Sequence, residues 1–116
     1  MSIIQTTNNR GFYMEFESGF SISVQFGSRN YCSRRNMDEK DSLSEMRIGN
    51  KHLVKATSAE IMVGNLGTGR TIVHSDNNDD AVIGWVGVDE IGKIIGMLTN
   101  AKSAKSVKIM LGKILK

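Results

Sequence analysis

Gly11-Phe12-Tyr13-Met14-Glu15-Phe16-Glu17-Ser18-Gly19-Phe20-Ser21-Ile22-Ser23-Val24-Gln25-Phe26 alternates apolar and polar residues twice, with a turn signal between the two runs. Phe12, Met14 and Phe16 alternate with Tyr13, Glu15 and Glu17, and Phe20, Ile22, Val24 and Phe26 with Ser21, Ser23 and Gln25. A period of two is the signature of a strand with one buried face. The register follows from the requirement that opposed residues on antiparallel strands share a side. A two-residue loop at Ser18-Gly19 would pair Phe16 with Ser21 and split the apolar rows between opposite faces. A three-residue loop, Glu17-Ser18-Gly19, pairs Phe16 with Phe20 and Met14 with Ile22. It unites the rows and puts Gly19 where such loops want a left-handed residue.

Outward from this hairpin the signals weaken. Residues 1–10 are polar and read as an extended arm or a short first strand. Residues 27–36 (Gly27 to Asn36) are polar, basic and aperiodic, a loop. Residues 37–51 are charged without a clear period and read as a mobile loop with room for one helical turn. Residues 52–63 alternate weakly through Ala59, Ile61 and Val63 and predict a strand. Asn65-Leu66-Gly67-Thr68-Gly69-Arg70 is a turn, 71–74 a short strand, and Ser75-Asp76-Asn77-Asn78-Asp79-Asp80 an acidic turn-rich loop. The apolar run 81–86 is short enough for a buried strand.

The period then changes to helical. Val88, Ile91, Ile94, Ile95 and Leu98 share one face. Gly87 serves as N-cap, with Glu90 where a capping-box acid belongs and Asp89 favourable in the first turn. Gly92 and Gly96 weaken this helix by about 1 kcal/mol each against alanine. Spaced by four, they suggest either cramped packing against the sheet or an approach by another subunit. Asn100 ends the helix, and a second starts near Ala104 with Val107, Met110, Leu111, Ile114 and Leu115 on its apolar face. Lys102, Lys105, Lys108, Lys113 and Lys116 occupy the remainder, a solvated face or one turned to an anion. The expected fold is α+β: an antiparallel β-meander sheet followed by two C-terminal helices packed on it, as one domain over 1–116.

The chain has 116 residues, enough to bury roughly two-thirds of its unfolded surface. The start, MSIIQTTNNRG, does not read as a signal peptide, and no apolar run approaches the roughly 20 residues of a membrane helix. A cytoplasmic protein with no membrane partner is expected. The lone Cys32 excludes an intrachain disulfide. There is no proline, so glycine does the turning. A net charge of +3 is mildly basic, compatible with simple solubility or with an anionic partner.

Catalytic signals are weak. His52, His74 and Cys32 match no metal-ligand spacing, and no nucleophile–base pair is legible. Asp76, Asp79 and Asp80 lack the spacing of a calcium loop. Residues 65–71 resemble a phosphate loop only in their glycines and fit a tight hairpin turn better. No metal and no cofactor are expected, and the chain reads as a binder rather than an enzyme. The richest stretch is Arg29-Asn30-Tyr31-Cys32-Ser33-Arg34-Arg35. Guanidinium groups bind phosphate bidentately, tyrosine stacks on bases, and asparagine reads base or ribose edges. A surface loop with its tyrosine tucked into the core fits equally well. Trp85 is either core, interface or a stacking platform.

The stretch 11–32, with Gly-Phe, the alternating hairpin, Val24-Gln25-Phe26-Gly27 and Asn30-Tyr31-Cys32, is similar to a pattern near the start of many small phage proteins. The later Gly84-Trp85 and Val88-Asp89-Glu90-Ile91-Gly92-Lys93-Ile94-Ile95 add to it. The chain thereby resembles the Thoeris anti-defence sponge family, first type. The resemblance implies an oligomeric protein that sequesters cyclic ADP-ribose signals, glycocyclic ADP-ribose among them, and cyclic oligonucleotides, without cleaving them.

The expected function is therefore a nucleotide sponge. Arg29, Arg34 and Arg35, with Arg70, would hold phosphates; Tyr31 or Trp85 would stack on the base; Asn30 would bond to base or ribose. The ligand would sit in a homo-oligomer, where a small domain makes a deep pocket more easily. The rivals are an inhibitor that binds a host protein, and a nucleic-acid-binding module using the lysine helix, which the weak net charge disfavours.

Overall fold

A computed structural model describes residues 2–7, 10–27, 29–35, 47–48, 51–52, 55–73 and 82–116. The strands are β1 (Ile3–Thr6), β2 (Gly11–Glu15), β3 (Phe20–Gln25), β4 (Arg47–Ile48), β5 (Lys51–His52), β6 (Ser58–Asn65), β7 (Arg70–Ile72) and β8 (Ile83–Gly87). Two helices follow, α1 (Val88–Thr99) and α2 (Ala104–Ile114). Six strands form one antiparallel sheet in the order β1-β2-β3-β6-β7, with β8 also on β6. The fold is α+β, as the periodicities predict.

The hairpin has the expected register. Met14 faces Ile22 and Phe12 faces Val24. The Phe16 amide donates to the Phe20 carbonyl at 2.9 Å, closing the three-residue loop, and Gly19 sits at φ 93°. The chain start forms β1 on the outer edge of β2. Loop 66–69 joins β6 to β7 as a tight turn.

Three features differ from a plain meander. First, β8 does not extend past β7. It returns to β6, pairing with the Ser58–Ile61 half while β7 takes Val63–Asn65, so the two share one edge of the longest strand. Second, Arg47–Ile48 and Lys51–His52 pair as a two-residue ladder, β4 with β5, and the rest of the segment expected as a loop, residues 37–46 and 49–50, lies outside the described residues. Third, the segment predicted as strand from residue 52 begins its main-sheet pairing only at Ser58. The acidic loop 75–80 and His74 lie outside the described residues.

One sheet face is apolar and carries the helices. Ile22, Val24, Ala59, Ile61, Val63 and Val86 pack there against Ile91, Ile94 and Leu98 of α1 and Val107 and Leu111 of α2. Those helical positions recur at three and four residues, so a single stripe from each helix is removed from water. Both helices begin as their sequences suggest. Gly87 is the N-cap of α1, with Asp89 and Glu90 in the first turn. Ser103 caps α2, its hydroxyl accepting from the Ser106 amide at 3.1 Å. Gly92 and Gly96 are exposed, and a Cβ built on either would touch nothing within 4 Å, which rules out cramped packing against the sheet. No described helix is long and apolar enough to cross a membrane.

Candidate functional site

The site starts from an irregularity. On β8, Val86 pairs with Ala59, but Ile83 pairs with Ile61, so Gly84 and Trp85 together oppose the single residue Glu60. This is a β-bulge, a device that turns a side chain away from the regular pleat. Trp85 carries it at φ 58°, in the left-handed region that costs a residue with a Cβ about 1–2 kcal/mol. Trp85 is also 58% exposed. The usual core role of a lone tryptophan is therefore not the one this chain adopts.

Glu60 sits at the outward register of β6, opposite in phase to buried Ala59 and Ile61. Its carboxylate accepts from the Tyr31 amide at 2.9 Å and from Asn30 Nδ2 at 3.3 Å. The Asn30 Oδ1 in turn accepts from the Gly27 amide at 2.9 Å. Ser33 and Ser58 make a reciprocal clasp: the Ser33 amide donates to Ser58 Oγ at 2.8 Å, and Ser33 Oγ accepts from the Ser58 amide at 3.3 Å and from the Thr57 amide at 2.9 Å. Cys32 is fully buried, its thiol donating to the Gly27 carbonyl. On the other side, the Trp85 amide donates to the Tyr31 carbonyl at 2.8 Å. A Cβ on Gly84 would come within 2.7 Å of Tyr31 Cβ, so only glycine admits the loop this close.

This framework sorts the candidate residues. Tyr31 is 43% exposed rather than tucked into the core. The Arg35 guanidinium lies 4.1 Å from its ring centroid, a cation–π contact, and Arg35 Nη1 donates to the Arg29 carbonyl at 3.2 Å. Arg29 is exposed. The exposed Arg29, Tyr31 and Trp85 and the half-exposed Arg35 are thus joined, Arg29 and Trp85 through their main chain, into one candidate patch. Arg34 is a correction: it is 2% exposed, and its Nη1 donates to the Lys55 carbonyl, so it braces the loop rather than presenting itself to solvent. Asn30 is likewise committed to Glu60 and Gly27. Arg70 stands apart from the others. It pairs with Asn65 at the far end of β6, about 16 Å along the strand from Glu60, outside the patch.

The glycine turn near Arg70 is no phosphate cradle. The Gly67 amide donates to Asn65 Oδ1, the Gly69 amide to the Asn65 carbonyl, and the Arg70 amide to Thr68 Oγ1, so the turn uses its own donors. Among the described residues, no three His, Cys, Asp or Glu side chains come together as a metal site would need. The His52 side chain and all of His74 lie outside the description.

Sequence reasoning missed Glu60, Ser33, Ser58 and Gly84, which position the patch rather than supply its binding groups. One signal was present: an acid at the outward register of a strand can receive a neighbouring loop. Compared with family models, curated proteins and solved structures, the chain matches none of them.

Proposed function

We propose that the chain is a non-catalytic binder of a nucleotide, held at the Arg29–Tyr31–Arg35–Trp85 patch, and that it sequesters a cyclic nucleotide signal without cleaving it. The observation that carries this is Trp85: a large apolar side chain held in water by a strained bulge. Strain and exposure both cost stability. An aromatic platform beside a guanidinium suits a ligand with a planar base and a phosphate. The resemblance of residues 11–32 to the sponge family makes cyclic ADP-ribose species the first cargo to try. The patch is an open surface, and a second copy laid across it would enclose the ligand.

Thermal-shift titration against ADP-ribose, cyclic ADP-ribose isomers and cyclic di- and trinucleotides tests the reading. A ligand confined to the native state raises the midpoint as its concentration exceeds the dissociation constant. One cyclic species should give a rise of several degrees and be recovered unaltered after denaturation. Trp85→Gly and Arg35→Ala should each abolish the rise, and Arg70→Ala should retain it. No shift with any species sinks the proposal.

A second reading draws on the same residues. Exposed tryptophan, tyrosine and arginine are the types that dominate protein–protein hot spots. An inhibitor of a host protein would retain that protein on a column through Trp85 and show no nucleotide shift.

A further inference from the structure

The helix layer does not cover the whole apolar face of the sheet. A groove of about 610 Å³ runs between α1 and the sheet, with Phe12 and Phe26 on one wall and Ile91, Gly92 and Ile95 on the other. That volume lies within the range of small-ligand sites. Among the described residues, the only charged side chain in the lining is Lys55, which is exposed. Among the described residues the groove is therefore apolar along its walls and cationic at one place.

Gly92 adds an independent observation. Glycine inside a helix weakens it, and this one is not required by contact, since an added Cβ would meet nothing within 4 Å. What the missing side chain does leave is room in the groove wall. An apolar trough with one cationic point complements a ligand with an aliphatic tail and one negative head.

We infer that this groove binds a medium-chain amphipathic anion, its tail between α1 and the sheet and its acid head at Lys55. The site is separate from the aromatic patch and does not depend on nucleotide binding.

The test is calorimetric titration of the full chain with octanoate, decanoate and dodecanoate below their micellar concentrations, and with dodecanol. Saturable one-to-one binding is expected, tightening by about two- to fourfold for each added methylene. Dodecanol should bind at least tenfold more weakly than dodecanoate, and Lys55→Glu should erase that preference. Gly92→Met should fill the groove and cost at least tenfold in dodecanoate affinity, while its unfolding midpoint stays level or rises. Absence of saturable binding, or equal dodecanoate affinity in Gly92→Met, overturns the inference. So does a concentration-dependent dimer in sedimentation that Gly92→Met abolishes with no dodecanoate binding, which would make a second copy the occupant.

Discussion

Arg34 and Arg35 are neighbours of identical chemistry with opposite fates. Arg35 lies over Tyr31 at the surface, whereas Arg34 is buried against the Lys55 carbonyl. Arg34→Ala should cost about 2–4 kcal/mol in urea unfolding, because it empties a buried site and strands a carbonyl. Arg35→Ala should cost under about 1 kcal/mol, as expected for a half-exposed side chain. Equal losses would contradict the burial pattern. Tyr13 offers a pH-dependent counterpart on the polar sheet face. Its hydroxyl donates to Glu15 Oε2 at 2.7 Å, and that bond, followed by desolvation, raises its pKa above the usual 10.0. A raised pKa in the folded state means stability present below the unfolded pKa and lost as pH rises through the folded one. Since the chain has two tyrosines, Tyr31→Phe leaves Tyr13 as the sole phenol. Its ultraviolet titration should centre above 10.0, and Glu15→Gln should bring it down.

Among the elements, the hairpin and the helices behave as their own sequences dictate, and the loop 29–35 does not. Alternation and a glycine at φ 93° are sufficient for β2–β3, and period plus caps for α1 and α2. The loop is held by groups far along the chain: Glu60 below, the Ser33–Ser58 clasp at one end, and Gly84 against Tyr31. Gly84→Ala should therefore lift the loop from β8, costing about 1–3 kcal/mol by overpacking, although glycine to alanine in an ordinary strand is neutral or favourable. Amide exchange at Tyr31 and Trp85 should quicken in this variant while β2 and β3 stay protected. Unchanged exchange would mean that the close approach at Gly84 is not what seats the loop.

Across the whole molecule, one core ties the sheet to the helices, and the hairpin tip reaches the end of α1. Ser18 Oγ donates to the Leu98 carbonyl at 2.6 Å across 80 residues, and the Leu66 amide donates to the Gly19 carbonyl at 2.9 Å. Leu98 itself is fully buried. Leu98→Ala should destabilise by about 2–5 kcal/mol and shift the denaturant midpoint with the slope unchanged, since sheet and helices unfold together. Two separate transitions would show that they do not. Local sequence alone accounts for the hairpin, its three-residue loop and register, and both helices. Those depend on period, turn chemistry and capping among residues close in the chain. It could not decide that β8 returns to β6, that Arg34 turns inward, or that Trp85 turns outward. Those outcomes follow from contacts between residues 25 and 29 positions apart, such as Ser33 with Ser58 and Tyr31 with Glu60, and from a bulge that exists only once β8 meets β6. The side chain that reaches water in such a loop is whichever one the distant partners leave uncovered.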